Sequence, residues 1–212
     1  MILGIETSTT QASLAVFDTA GGSVVWNEEF TTDRSHNAVI FEPVSEVLRQ
    51  YRDGLSGIAV GVGPGSYSGV RVGIAVANGL SMTLGIPCCG FSSLEAWEVD
   101  EDTYAVLGDA RRKTIFVANV KERQVQGDPE LVGEDDIEEC LSSMSNEGVP
   151  LYSADRKVVE SFEKVSLELP SASRLAWKAS MTDPSQWPKR PLEPHYLRAP
   201  YFTTPKKKGP LS

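Results

Sequence analysis

Residues 57–80 read GIAVGVGPGSYSGVRVGIAVANGL, and no other segment of the 212-residue chain hints as strongly at chemistry. The β-branched run over residues 58–62 suits a buried strand, and Gly63, Pro64, Gly65 and Gly69 supply a tight turn. From Ser68 onward the spacing of Val70, Ile74 and Ala77 predicts a helix with Ser68 as its cap. A strand, a glycine loop and a helix N-terminus together offer free amide donors to a phosphate or carboxylate. Gly63, Gly65 and Ser66 are therefore candidate anion or nucleotide contacts. The same residues also suit a strand-to-helix turn with no ligand. No Gly-Lys-Ser/Thr follows at P-loop spacing, and no acidic residue stands where a dinucleotide ribose would need one.

Two carboxylates are placed at strand ends. Residues 2–5 and 12–17 read as strands joined by a hydroxyl-rich turn, so Glu6 closes the first strand and Thr7, Ser8, Thr9 and Thr10 follow it. The second half opens the same way, with strands over 104–108 and 114–120 around Asp109, Ala110, Arg111, Arg112 and Lys113. Aligning Glu6 with Asp109 predicts an internal duplication. In a phosphotransferase such carboxylates hold magnesium or orient the attacking oxygen. The competing reading is that Glu6 caps loop amides and Asp109 fixes its hairpin. Glu6, Thr7, Ser8 and Thr9 are candidate nucleotide contacts. Arg111 and Arg112 replace the glycine and hydroxyls expected of a second phosphate loop, and are read as a partner or anion contact, or as a plain exposed hairpin.

Elements must hold these loops in place. A helix is predicted over residues 35–51, capped by Ser35, with Phe41, Val44, Val47, Leu48 and Tyr51 on its apolar face and Pro43 bending its first turns. A short strand near residues 87–90 follows the 68–84 helix, and short surface helices are predicted over 134–142 and 157–165. The acidic stretch 95–102 divides the chain into a lobe over 1–102 and a smaller one over 103–212. Pro184, Pro188, Pro191 and Pro194 break regular structure before a basic tail with Lys206, Lys207 and Lys208, read either as a solvated tail or as a phosphate contact.

Composition narrows the function classes. Hydrophobic residues make up 41% and charged residues 23%, enough for the chain to build its own core. The formal net charge is −9, and residues 1–102, with 13 acidic against 4 basic side chains, carry all of it. Such a half repels nucleic-acid phosphates, so any RNA would be gripped chiefly by another chain. No basic leader precedes the first apolar stretch and no apolar run is long enough to span a bilayer, which predicts a cytoplasmic protein. Cys88, Cys89 and Cys140 are too few and too badly spaced for a zinc site, and His36 and His195 stand alone, so no metal site and no catalytic residue is assigned. A peptidase would need a metal or a nucleophile–base pair, and neither stands at recognisable spacing.

The segment GPGSYSGVRVGIAVANGL followed by GIPCCGFSSLEAW resembles the signature of the TsaB (YeaZ) family, as do MILGIETSTTQASLAVFD, LGDARRKTIFVAN and PHYLRAP, in that order. The resemblance implies an α/β, two-lobed actin/Hsp70/sugar-kinase-like fold with a reduced second lobe. It also implies a noncatalytic subunit that binds a TsaD homologue as a heterodimer, with a TsaE homologue joining, in threonylcarbamoyl transfer to adenosine 37 of tRNA. tRNA would be met only indirectly. No cofactor would be tightly bound, and ATP or ADP would act within the complex. The isolated chain is expected to form a homodimer. The expected dimer surface is the 35–51 helix with the face carrying Val70, Gly73, Ile74, Ala77 and Ser81, whose small residues permit close helix approach. That face also suits packing on the chain's own sheet. The alternative function is an ATP-dependent small-molecule phosphotransferase, and a homodimeric module outside tRNA modification is a third.

Overall fold

The alternation of apolar residues along the first strands sets the whole first layer. The structure, a computed structural model, describes residues 1–31, 37–110, 113–187 and 191–197. β1 (Ile2–Glu6), β2 (Gln11–Asp18) and β3 (Ser23–Thr31) form an antiparallel meander. A 3₁₀ turn leads into α1 (Phe41–Tyr51), followed by β4 (Gly57–Gly61), α2 (Tyr67–Leu84) and β5 (Cys88–Phe91). β4 pairs parallel to β1 and β5 parallel to β4, giving the order β3-β2-β1-β4-β5. Leu3, Ile5, Leu14, Val16, Ile58 and Val60 pack against Val44 and Val47 of α1 and Val70, Ile74 and Ala77 of α2.

The second half repeats this plan. It runs β6 (Tyr104–Asp109), β7 (Thr114–Lys121), β8 (Gln124–Val125), β9 (Glu130–Gly133), α3 (Ile137–Asn146), β10 (Leu151–Ser153), α4 (Arg156–Ser161), β11 (Val165–Leu167) and α5 (Ala172–Ser180). β6 and β7 are antiparallel, β8 and β9 both pair with β7, and β10 and β11 add in parallel beyond β6. The path β9-β7-β6-β10-β11 has the topology of β3-β2-β1-β4-β5. In each half a hairpin begins the sheet and crossover connections deliver two parallel strands beside its first strand. This is the duplicated actin-like architecture expected from Glu6 and Asp109.

The final helix crosses back. α5 lies on the face of the first sheet opposite α1 and α2, where Leu175, Ala176 and Ala179 meet Ile2, Phe17 and Ala59, with Trp187 beside them. The apolar run of β1 is thus buried on both faces. The halves are stitched together by the Ala172 N–H donating to Ser13 Oγ at 2.9 Å and the Ser171 N–H donating to Ala96 O at 2.7 Å. A Lys178–Glu95 ion pair of 2.8 Å adds to this junction.

Several local expectations need correction. α2 is capped by Ser66, not Ser68: the Ser66 Oγ accepts from the Gly69 N–H at 3.3 Å. Phe41 is 59% exposed, because α1 starts at that residue and its apolar stripe begins at Pro43 and Val44. Pro43 therefore lies in the first turn, where a missing N–H breaks no helical bond. The 157–165 helix stops at Ser161, and Val165 opens β11 instead. The segment 172–180, for which the sequence pattern predicts no element, is α5. Ser35 and His36 lie outside the described residues.

Candidate functional site

The loop after β1 and the glycine loop after β4 meet at the C-terminal ends of two adjacent parallel strands. Brought together there, they interlock. The Ser66 N–H donates to Ser8 O at 2.6 Å, and the Thr7 hydroxyl donates to Gly69 O at 2.9 Å. The Ser93 Oγ accepts from the Gly63 N–H at 3.2 Å, while the Ser93 N–H donates to Gly63 O at 2.9 Å. Close approach explains the glycine at 73: a Cβ there would fall 2.3 Å from Thr7 Oγ1. The Thr9 hydroxyl donates to Gln11 O at 2.6 Å. Thr7 and Ser8 are buried, whereas Thr10, Gly65 and Ser66 are exposed. The hydroxyl of Thr7 thus already has a partner where a phosphate clasp would need it free.

Glu6 is fully buried among these loops. Its Oε1 accepts from the Ser8 N–H at 2.6 Å, and its Oε2 has no partner of hydrogen-bonding geometry. Oε2 lies over the bare Cα of Gly61, close to the Ser93 hydroxyl. Burial pushes the carboxyl above the ordinary carboxylate range, with the Ser8 hydroxyl and amide pulling the other way. Asp109, at the matching end of β6, is exposed. Beyond it the Ala110 N–H donates to Thr114 O at 3.0 Å and Lys113 pairs with Glu134 at 2.7 Å. The two carboxylates hold the same topological position in opposite environments. Arg111 and Arg112 lie outside the described residues.

A cavity of about 250 Å³ runs between the halves beside Gln11, Ala12 and Ser13. Glu29, Glu98 and Glu168 line it, with Glu98 paired to Arg174 at 3.5 Å. The lining is net acidic, and the volume is small for a nucleotide. Among the described residues no group of three or more His, Cys, Asp or Glu side chains is arranged to hold a metal. Cys88 and Cys89 are free thiols, and burial pushes them to about 12 and about 11.

The small-residue face of α2 is turned inward. Val70, Ile74 and Ala77 lie in the chain's own core and Gly73 lies against Thr7, so these residues are not a partner surface. The reason is the unbroken apolar face of the sheet beneath them. Ser81 is half-buried and its hydroxyl donates to Ile86 O at 2.7 Å. The outward face instead carries Tyr67 (58% exposed), Arg71, Ala75, Gly79 and Met82 (84% exposed). Residues 191–197, where the sequence singles out Pro191, Pro194 and the start of PHYLRAP but not Leu192, run along this helix. Asn78, visible in the sequence only as a polar break in an apolar helix, bonds to the Leu192 backbone.

Residues 29–177 match the family model described as TsaD, tRNA N6-adenosine threonylcarbamoyltransferase. The chain belongs to this family. Within it, the chain stands with the TsaB (YeaZ) proteins. It is 31% identical to the tRNA threonylcarbamoyladenosine biosynthesis protein TsaB of Haemophilus influenzae over 136 residues, 60% of this chain and 56% of that protein. It is 33% identical to the TsaB of Escherichia coli over 126 residues, 55% of this chain and 53% of that protein. The chain thus spans about half the length of the curated relatives it matches. YeaZ from Pseudomonas aeruginosa shares the fold, with a TM-score of 0.63 at 21% identity, covering 87% of this chain and 96% of that one. A second Pseudomonas aeruginosa structure, an uncharacterized protein with similarity to peptidase YEAZ, gives a TM-score of 0.68 at 21% identity over 93% of this chain and 99% of that one.

Proposed function

We propose that the chain is a noncatalytic subunit for tRNA threonylcarbamoyladenosine synthesis, binding a TsaD homologue and supporting the transfer carried out on that partner. The observation that carries this reading is the interlock of the two loops: the Thr7 hydroxyl is bonded to Gly69 O and the Ser66 amide to Ser8 O. A chain whose phosphate loops are closed on each other has a structural use for the fold. Kinship with TsaB proteins supplies the pathway.

The partner surface is the outward face of α2 with the exposed start of α1. Phe41, Tyr67 and Met82 supply apolar area, and Ala75 and Gly79 let a second helix approach closely. The same face serves a homodimer when the chain is alone. A TsaE homologue joins the assembly, ATP or ADP is held mainly by the other chains, and tRNA is met through the partner in the cytoplasm.

Light scattering of the purified chain, alone and mixed with the TsaD homologue from the same source, with and without ATP, tests this. A shift from self-associated species to a defined mixed complex is expected, and Met82→Asp prevents it while leaving the melting temperature within a few degrees. Absence of any complex in every condition would overturn the proposal.

A further inference from the structure

The proposed function leaves PHYLRAP without a task, and its described part, together with the residues just before it, forms a strap over residues 191–197. The strap is tied down at four points, on α2, on β5 and at the end of β4. The Asn78 side chain bonds the Leu192 backbone in both directions: Nδ2 donates to Leu192 O at 3.2 Å, and Oδ1 accepts from the Leu192 N–H at 3.0 Å. The Leu192 side chain joins the first core and lies against Gly90. The His195 N–H donates to Val62 O at 2.8 Å, extending the end of β4. The Tyr196 ring stacks on Tyr67, centroids 5.2 Å apart, and Arg71 sits over the other partner of that stack, 5.1 Å from the Tyr67 centroid, with its guanidinium donating to the Tyr67 hydroxyl at 2.6 Å.

These contacts join the glycine-loop entry, the middle of α2 and the outward-facing first turn of α2 into one unit. Tyr67 is exposed yet contacted by both a ring and a guanidinium, which restrain it. An amide side chain that satisfies both polar groups of one residue acts as a short piece of β-ladder, fixing the register of the strap.

We propose that the strap is a pre-organising clamp for the partner surface on α2, and that Asn78 is its latch. This rests on the reading that α2's outward face binds the TsaD homologue. With the latch closed, Tyr67, Arg71 and Tyr196 present one fixed surface, built from residues more than a hundred positions apart. With the latch open, the strap leaves α2, Tyr67 regains its rotamers, and only the fraction of molecules with the strap docked binds at full strength. Asn78 and Leu192 are positioning residues here, and Tyr196 is a direct contact.

The test pairs amide hydrogen exchange with calorimetric titration of the TsaD homologue, on the full chain. In Asn78→Ala the helix is retained, since Ala is a better helix former, and exchange at the Leu192 and His195 amides rises at least tenfold. Affinity for the TsaD homologue falls roughly tenfold, as the docked fraction falls. Tyr196→Ala, which leaves the latch intact, lowers affinity without raising exchange at Leu192, and Tyr196→Phe restores it. Binding of Asn78→Ala at wild-type strength despite faster exchange would sink the clamp while leaving the proposed function standing. Unchanged exchange would remove the latch. Failure of the unaltered chain to bind overturns both readings, the functional one first.

Discussion

Glu6 shows how one side chain's environment decides its role. A carboxylate at the end of the first strand of an actin-like fold is placed for metal or phosphate work, but here it is sealed under Gly61 and Ser93 with one oxygen unpartnered. Desolvation raises its pKa above the ordinary 4.5, so the folded chain holds a proton there that the unfolded chain releases more easily. The native state then binds more protons between the two values, and stability falls as pH rises through that window. Urea unfolding from pH 4 upward is expected to show this decline in the unaltered chain and its loss in Glu6→Gln, with the variant at least as stable at pH 8. Gly61 belongs to the same arrangement. Gly61→Ala places a Cβ 2.1 Å from Glu6 Oε2, inside a packed core, and an equilibrium unfolding curve should record a loss of about 2–3 kcal/mol.

At the scale of elements, α5 matters most. It follows the second sheet in the chain but covers the outer face of the first, so Leu175, fully buried there, stabilises strands more than 150 positions away. Leu175→Ala is expected to cost about 3 kcal/mol and to raise amide exchange in β1 and β4 before β6 and β10. A change confined to the second sheet would count against this packing. The same reasoning explains why the sequence pattern predicts β1, β2, β4, β6 and β7, as well as the short β5, and does not predict β3, β8, β9, β10, β11 and α5. The first group carries long apolar runs or strict alternation. β3, SVVWNEEFT, is an edge strand that mixes apolar and charged residues without strict alternation, and β10 and β11 span three residues each. α5 is short, and its small residues Ala172, Ala176 and Ala179 become a core face only when a sheet is present to receive them.

For the whole molecule, charge separates what this chain can touch from what it leaves to a partner. The acidic excess lies in the first half, which also carries the outward face of α2, and the cavity between the halves is lined by Glu29, Glu98 and Glu168. Long-range repulsion from such a distribution disfavours polyanions. The chain alone is therefore expected to bind tRNA no better than about 10⁻⁴ M at physiological salt, the weak end of nonspecific binding, in an electrophoretic mobility titration. Submicromolar binding by the isolated chain would mean that a basic surface outweighs the acidic half. Among the described residues no helix is long and apolar enough to cross a membrane.

The sequence by itself determined the duplicated α/β plan, the two hairpins, the strand–glycine loop–helix unit and the family, because these depend on local periodicity, turn chemistry and short motifs that survive without knowledge of neighbours. Only the tertiary structure decided which way α2 faces. Val70, Gly73, Ile74 and Ala77 form a stripe that suits a partner helix or the chain's own sheet, and periodicity is identical in the two cases. It also decided that Glu6 is sealed, that the Thr7 hydroxyl is bonded, and that Asn78 meets Leu192, since each depends on burial and on contacts between residues 55 to 114 positions apart.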